Sequence, residues 1–421
     1  MKPRVFILSE VYFPDDSATG YVLTHLAEGL APFYDVHVLC GRTARRATNT
    51  RTTVREERRG VTIERCATTF FDKNIVMLRF INLVTICLSI FLKALFTLKQ
   101  GDVVIVVTNP PPLPFVALLA ARIRHAHSAL LVHDVYPEVL VATGLLREDS
   151  FLVRALRWVN KRLYPRFERV IVLGRDMQQL VECRFMPENK KTVIVTNWAD
   201  IETISPKPRQ ENRLLKQLGI EGKVVFQYSG NMGRTHGLET ILEAAVLLER
   251  EESIHFLLIG SGAKRHGVET YLAGSRLKNV TLLPLQPRQE LTDTLNACDV
   301  AIISFIKGIA GISVPSRMYN IMAAGKPIIA VADDASELAL VVREENIGWV
   351  VRPGDKKALA DAIQNAQSAP RKLKELGERA RTAAMKYSRF HVLESYRCLI
   401  DSFLPDRLEL GPNLRDKVHH V

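Results

Sequence analysis

The chain has no apolar stretch of about 20 residues, the length a bilayer-crossing helix needs. Its best candidate, Phe80 to Leu92, is an uncharged run of 13 residues between Arg79 and Lys93. Cysteine is sparse. The six thiols, Cys40, Cys66, Cys87, Cys183, Cys298 and Cys398, form no Cys-x-x-Cys pair and have no histidine at metal-ligand spacing. This excludes a disulfide framework and a zinc site, and reduced, mostly buried thiols in a cytoplasmic protein are expected. The opening apolar run, Arg4 to Leu8, meets Glu10, Pro14, Asp15 and Asp16 too soon for a signal peptide. Two phosphate-loop fingerprints are missing as well. Gly260-Ser261-Gly262 finds its next glycine only at Gly267, and Gly325-Lys326 runs into Pro327, so neither G-x-G-x-x-G nor G-x-x-x-x-G-K-[ST] is met. There is no internal repeat and no low-complexity tract.

Positive charge, by contrast, is abundant. Among 421 residues, 57 Lys and Arg face 45 Asp and Glu, a formal net charge of +12. Such an excess points to an acidic partner: nucleic acid, anionic lipid or a phosphate-bearing substrate. The hydrophobic share of 47% and charged share of 24% suit a globular protein of two or three domains. Around the uncharged run, Arg79, Asn82, Thr85, Ser89, Lys93 and Thr97 fall on one arc of a helix. Leu78, Phe80, Ile81, Leu83, Val84, Leu88, Phe91, Leu92, Leu95 and Phe96 make a broad apolar face. Just before it, Gly41 to Arg65 carries eight arginines (42, 45, 46, 51, 55, 58, 59 and 65) against three glutamates. A basic segment beside an apolar-faced helix is what contact with an anionic membrane surface requires. A core helix beside a solvated loop is the plainer alternative.

Short apolar runs alternate with helical periodicity along the chain. Strands are expected at Arg4–Leu8, Asp35–Cys40, Val61–Arg65, Asp102–Val107, Ala129–His133, Arg169–Leu173 and Thr192–Val195. A second series follows at Val224–Tyr228, His255–Ile259, Val280–Leu283, Asp299–Ser304, Pro327–Val331 and Gly348–Val351. Strand, helix, strand in repetition means parallel sheets covered on both faces, and thirteen strands are too many for one such sheet. Two doubly wound domains are expected, 1–200 and 201–385, with Asp200 to Asn212 as a polar, proline-rich linker. Lys372 to Leu404 reads as helix broken around Tyr387-Ser388, so that 386–421 is a C-terminal helix and tail returning toward the first domain.

In open α/β sheets, ligands bind at the carboxyl ends of strands. The first strand leads through Asp15 to Gly20 into a helix, with Gly20 allowing close approach of backbone. Asp102 to Val107 runs into Asn109-Pro110-Pro111-Pro112, a rigid wall. Ala129 to His133 ends in His133-Asp134-Val135-Tyr136-Pro137-Glu138, three titratable groups where burial is costly unless they are paired or used. Asp134 or Glu138 orients hydroxyls there, or else caps the next helix. In the second series, Arg234 lies in the glycine-flanked turn Ser229 to Gly237, where a guanidinium fork can clamp a diphosphate. Lys264 and Arg265 follow Gly260-Ser261-Gly262. A helix expected to start at Val314 or Pro315, with Ser313 as its cap, would offer free amides to an anion.

Together these loops resemble the family 4 glycosyltransferases of the GT-B fold, in particular bacterial enzymes of O-antigen and colanic-acid (capsular) polysaccharide assembly. The likeness runs from Val5 to about Leu404. It is carried by Pro110-Pro111, Asp134-Val135-Tyr136-Pro137-Glu138, Ser229-Gly230-Asn231-Met232-Gly233, Val314-Pro315-Ser316-Arg317, Met322 to Pro327 and Ser336-Glu337-Leu338-Ala339. The resemblance implies two Rossmann-like domains facing across a cleft and a retaining sugar transfer that needs no metal or other cofactor. It implies a nucleotide diphosphate-sugar donor, UDP-linked, in the second domain and a lipid-linked (polyprenyl diphosphate) saccharide acceptor in the first. No Asp-x-Asp is present to hold a divalent ion, so cations and amides must meet the leaving group. By analogy Asn231, Arg234, Lys264 and Arg265, with Gly311, Ile312, Ser313, Ser316, Arg317, Asn320 and Glu337, bind the donor. Leu285 and Gln286 lie near its base, Gly20 contributes from the first domain, and His133, Asp134 and Glu138 serve the reaction. The chain departs from the family at Ile312 and Asn320, where two glutamates are usual, and at Asn231 and His236, where Arg and Lys are. The expected location is the inner face of the cell membrane, peripheral, with no nucleic-acid partner. A nucleotide-sugar epimerase of the same fold and a non-enzymatic anion binder are the alternatives.

Overall fold

The computed structural model describes residues 2–15, 17–42, 53–69, 71, 76–188 and 191–404. Asp16, Arg45, Arg46 and Arg51, and the tail from Pro405, lie outside them. The chain divides into two compact units: Met1–Pro137 and Glu148–Thr196 with the segment beginning at Val392, and Glu138–Arg147 with Asn197–His391.

The first unit is built on eight strands: β1 (Arg4–Leu8), β2 (Asp35–Gly41), β3 (Arg55–Arg58), β4 (Val61–Cys66), β5 (Val103–Val107), β6 (His127–Leu131), β7 (Arg169–Val172) and β8 (Thr192–Ile194). They lie in the order β3-β4-β2-β1-β5-β6-β7-β8. All neighbours are parallel except β3, which runs antiparallel to β4. β5 is Val-Val-Ile-Val-Val, buried throughout, as a central strand covered on both faces must be. β3, Arg-Glu-Glu-Arg, has no apolar signal of its own; it forms by pairing on β4 at the sheet edge, where charge is the normal protection.

The connections from β4 to β5, β5 to β6 and β6 to β7 all advance in one direction across the sheet. Right-handed crossovers therefore set the helices Val76–Thr97, Leu113–Ile123 and Phe151–Leu163 on one face. The helix Val76–Thr97 is not simply apolar on one side and polar on the other. Ile86, Cys87, Ile90 and Ala94 are buried, and Asn82 and Thr85 bond to Thr69 and Phe71. Ile81, Val84, Leu88, Leu92 and Phe96 remain as an exposed stripe, Phe96 at 83%. Phe115, Leu119 and Ile123 repeat this on the second helix, and Phe151, Leu152 and Trp158 on the third, where the Arg162 guanidinium lies 3.7 Å from the Trp158 ring centre. No helix among the described residues is long and apolar enough to cross a membrane.

The second unit carries β9 (Val224–Asn231), β10 (Ile254–Ser261), β11 (Val280–Leu283), β12 (Val300–Ser304), β13 (Ile328–Val331) and β14 (Gly348–Val351). Their order is β11-β10-β9-β12-β13-β14, all parallel. Strand order reverses between β9 and β12, the point where such sheets bind ligands. β9 and β10 pair down to Asn231 and Ser261, closely enough that a Cβ on Gly260 would lie 2.0 Å from the Gly230 carbonyl oxygen. Residues 200–212 are not a free linker. Ile204 joins the hydrophobic core of this unit, the Lys207 amide donates to Asn296 Oδ1 (3.0 Å), and Asn212 caps the helix Arg213–Leu218. The prolines make an extended strap that uses the core to order itself. The C-terminal helical stretch is two helices, Pro370–Lys386 and Arg389–Asp401. At the break, the Ala199 amide donates to the Tyr387 carbonyl (2.7 Å).

Candidate functional site

At the reversal point, the turn after β9 is fastened on both sides. Toward β10, the Met232 amide donates to the Ser261 carbonyl (2.8 Å) and the Lys264 amide to the Met232 carbonyl (2.9 Å). Toward β12, the Ile306 amide donates to the Thr235 carbonyl (2.9 Å), and the Ser304 hydroxyl to the Gly237 carbonyl (2.8 Å). The next turn, after β12, is gathered by one carboxylate: Asp333 Oδ2 accepts from the Gly308, Ile309 and Ala310 amides at 2.8, 3.1 and 3.3 Å. Three glycine-containing turns are thus set side by side before any ligand arrives.

The helix beyond them is shorter than its sequence suggested. It runs Arg317–Ala323, with Ser316 at the cap and no side-chain cap bond. Val314 precedes a proline, which disfavours helical backbone at that residue, so no helix forms until Pro315 is passed. A start at Val314 or Pro315 is therefore corrected to Arg317, and the dipole of so short a helix contributes little.

Its first residue, however, reaches back into the reversal point. Arg317 Nη1 donates to the Ser229 carbonyl (3.2 Å), Nη2 meets His236 Nε2, and the guanidinium carbon lies 4.7 Å from the Tyr228 ring centre. Gly230, with φ at +135°, leaves the space: a Cβ there would lie 3.2 Å from Arg317 Nη1. Arg317 is half-buried and forms no ion pair among the described residues.

Other cations nearby are differently placed. Arg265, expected as a diphosphate clamp, is engaged already: Nη1 donates to the Gly260 (2.5 Å) and Leu283 (2.7 Å) carbonyls, and Nε to Glu269 (2.8 Å). Lys264 donates to the His236 carbonyl (2.7 Å) and to Glu239 (2.8 Å). Both act as struts between turns. Arg234 is exposed and has no hydrogen bond or ion pair among the described residues.

His236 is buried, stacked on Phe305 with ring centres 5.2 Å apart. Burial first, then the Arg317 charge, pushes its pKa down to about 2, partly offset by a bond with the Gly233 backbone. The ring is neutral at physiological pH, so Nε2 accepts from Arg317.

The remaining expected donor residues are spread more widely. Asn231 is exposed beside the turn Gly262 closes. Gly311 and Ile312 are buried in the Asp333-held turn, with the Ile312 amide committed to the Ile309 carbonyl (2.9 Å); Ser313 and Ser316 are half-buried. Asn320 Oδ1 accepts from the Asp200 amide (2.9 Å), an internal tie. Glu337 is buried in the first turn of the helix Glu337–Glu344. Leu285 is exposed, and Gln286 donates to the Pro284 carbonyl (2.8 Å). The sequence reading missed Asp333 and the anchoring role of His236. The one signal for Asp333 is an acid just past a buried strand, the pattern that drew attention to Asp134.

In the first unit, Gly20 lies inside the helix Ala18–Leu30, and its amide donates to the Ser17 hydroxyl (3.2 Å). The Thr108 hydroxyl accepts from the His133 (3.2 Å) and Asp134 (3.4 Å) amides, joining the ends of β5 and β6. His133 Nε2 is buried without a partner among the described residues, and burial lowers its pKa to about 4. Glu138 is buried and counts with the second unit.

Two parallel-sheet units with ligand-ready turns at strand ends define the class, and comparison with known proteins agrees. Residues 210–383 match the family described as "Glycosyl transferases group 1", and residues 17–198 the "Glycosyl transferase 4-like domain". The chain belongs to these group 1, or family 4, glycosyltransferases of the GT-B fold. It is similar to the probable glycosyltransferase WbjE of Pseudomonas aeruginosa, 36% identical over 330 residues, covering 76% of this chain and 80% of that protein. It also resembles the putative colanic acid biosynthesis glycosyl transferase WcaI of Escherichia coli (strain K12), 26% identical over 260 residues, 60% of this chain and 63% of that one. Sucrose-phosphate synthase from Thermosynechococcus elongatus shares the fold at a TM-score of 0.77 and 18% identity, over 96% of this chain and 100% of that one. HepE of Anabaena, solved in complex with UDP and glucose, does so at 0.71 and 16%, over 95% and 100%.

The neutral burial of His236 carries a pH consequence. Its pKa is about 2 when folded against an ordinary 6.5, so the unfolded chain takes up a proton that the folded chain refuses. Stability is full above pH 6.5 and falls as the pH drops below it. Denaturant titrations should show His236→Gln losing less stability on acidification, by roughly 1 kcal/mol per pH unit below 6. Parallel curves for the two proteins would show that this histidine is not held neutral.

Proposed function

We propose that this glycosyltransferase moves a sugar from a nucleotide diphosphate-sugar, UDP-linked, to a saccharide carried on polyprenyl diphosphate. The product belongs to a cell-surface polysaccharide of the O-antigen, capsule or exopolysaccharide type, as the name of the relative WcaI suggests for that protein. The observation that carries the reading is Arg317, half-buried without a counter-charge among the glycine turns of the second unit. Removing a charge from water costs several kcal/mol, and the phosphates of a nucleotide sugar are among the anions whose oxygens fit a guanidinium fork. The likeness to HepE, solved with UDP, favours uracil as the base.

In this reading the bond from sugar C1 to the diphosphate oxygen breaks, and an acceptor hydroxyl oxygen bonds to C1 with configuration retained. The hydroxyl proton leaves with the nucleoside diphosphate. No divalent ion takes part: Arg317 and Arg234 meet the charge growing on the leaving oxygens. Neutral His133, with its Nε2 unpartnered among the described residues, bonds to a sugar hydroxyl, and Asp134 and Glu138 orient the hydroxyls of sugar and acceptor.

The acceptor lipid explains the first unit's outer face. Leu88, Leu92, Phe96, Phe115, Phe151 and Trp158 are exposed there, with Arg154, Lys161 and Arg162 beside the last two. Apolar side chains interleaved with cations suit a peripheral seat on the inner, anionic face of the cell membrane.

Two experiments test these parts separately. With a panel of nucleotide sugars and a polyprenyl-diphosphate-saccharide, nucleoside diphosphate should be released only when acceptor is present. Arg317→Ala should lower kcat/KM about 100-fold, while Arg265→Ala chiefly lowers stability. Undiminished turnover in Arg317→Ala, or a sugar product without acceptor, would overturn the proposal. In sedimentation with phosphatidylglycerol vesicles, the wild type should pellet, and Leu92→Asp with Phe96→Asp should bind at least about fivefold more weakly. A wild type that stays in the supernatant at low salt removes the membrane from the account.

A further inference from the structure

Five cations, Lys264, Arg265, Arg234, Lys307 and Arg317, lie about the turns of the second unit, and they divide by the charge of what holds them. Lys264 is paired with Glu239 at 2.8 Å and Arg265 with Glu269 at 2.8 Å. Arg234 and Lys307 are exposed, with no partner among the described residues. Arg317 alone is firmly held by groups that carry no charge: a carbonyl oxygen, an aromatic face and an imidazole nitrogen. The difference matters for an anion. A carboxylate partner would fix the guanidinium equally well, but would cancel its charge and occupy the edge a phosphate needs. A cation in the same place would repel it. A neutral acceptor orients the fork and leaves its charge, and its other N–H groups, for a ligand.

We infer that His236 is a positioning residue, whose Nε2 aims the Arg317 fork at the diphosphate of the donor. The inference rests on the donor reading above and deepens it. Several features of the fold serve the imidazole. It stacks on Phe305, which follows β12, and meets Tyr228 of β9 edge-on, with ring centres 6.1 Å apart. Its own carbonyl accepts from Lys264 Nζ (2.7 Å), so the residue is gripped from the ends of β9, β10 and β12. Its amide donates to the Gly233 carbonyl (3.1 Å). Rotating the ring away would break the stack, so the bond to Arg317 is pre-set and does not wait for the ligand. Pre-set donors lose little reorganisation when charge arrives, which is why they act more strongly than free ones. Burial keeps the ring in the neutral form that this role needs.

The test compares nucleotides that differ by one phosphate. Affinities for UDP and UMP, and for GDP and GMP, ADP and AMP, and CDP and CMP, are measured by calorimetry on the full chain. The ratio of diphosphate to monophosphate affinity isolates the outer phosphate. Arg317→Ala and His236→Ala should each lower that ratio about tenfold while monophosphate binding stays within about twofold. The double variant should lose no more than either alone, because both act through one fork. His236→Gln, which keeps an acceptor oxygen in reach, should hold the ratio within about threefold of wild type. Should His236→Ala fail to fold, His236→Leu keeps bulk against Phe305 and removes the acceptor. An unchanged ratio in the acceptor-less variant, or losses that multiply in the double variant, would overturn the inference and leave the donor reading standing. Wild-type protein that prefers no diphosphate over its monophosphate would sink the donor reading, and the inference with it.

Discussion

A guanidinium held only by neutral groups constrains everything around it. Arg317 is half-buried, touches the Ser229 carbonyl, the Tyr228 face and His236 Nε2, and forms no ion pair among the described residues. Each neutral contact offsets part of the cost of leaving water, yet none cancels the charge. The group that meets the fork must then be neither a carboxylate, which would quench it, nor a second cation, which would expel it. A buried imidazole that refuses its proton meets both demands. Gly230 meets a third, since any side chain there would crowd the guanidinium.

The sheet supplies the rigidity on which that arrangement depends. β9 and β10 stay paired through Gly230 and Gly260 to Asn231 and Ser261, so their turns leave the sheet from fixed points. Carbonyl and amide groups of the three turns then bond to one another, and Asp333 ties the last of them by three amides. Lys264 and Arg265 belong to this scaffold. Their charges are matched by Glu239 and Glu269 and their donors filled by carbonyls. Cations of one small region thus separate into those that brace the turns and those left for an anion.

Much of the fold is legible in the chain because parallel strands buried on both faces need unbroken Val and Ile runs. Every expected strand has its counterpart among β1, β2 and β4–β14. β3 escapes because Arg-Glu-Glu-Arg is placed by its neighbour and not by its own composition. The strap from Asp200 to Asn212 reads as a linker because polar residues and prolines hide its buried anchor Ile204. The site is legible in kind but not in detail. Glycines and cations at strand ends locate it, while the partner of each cation depends on contacts far apart in sequence. The Lys264–Glu239 and Arg317–His236 pairs span 25 and 81 residues. Arg265–Glu269, four apart on one helix, was the exception open to a sequence reading. The helix Val76–Thr97 shows a similar limit. Periodicity finds its apolar residues, but only tertiary packing decides that Ile86, Ile90 and Ala94 are buried while Leu88, Leu92 and Phe96 face outward.

The central claim is that the charge of Arg317 is kept available for a diphosphate, and a crystal structure with a nucleoside diphosphate bound tests it most directly. The account predicts phosphate oxygens within hydrogen-bond distance of the Arg317 fork, the His236 contact intact, and Arg265 still on the Gly260 and Leu283 carbonyls. A diphosphate seated on Arg265 and Lys264, with Arg317 turned away from it, would contradict the account.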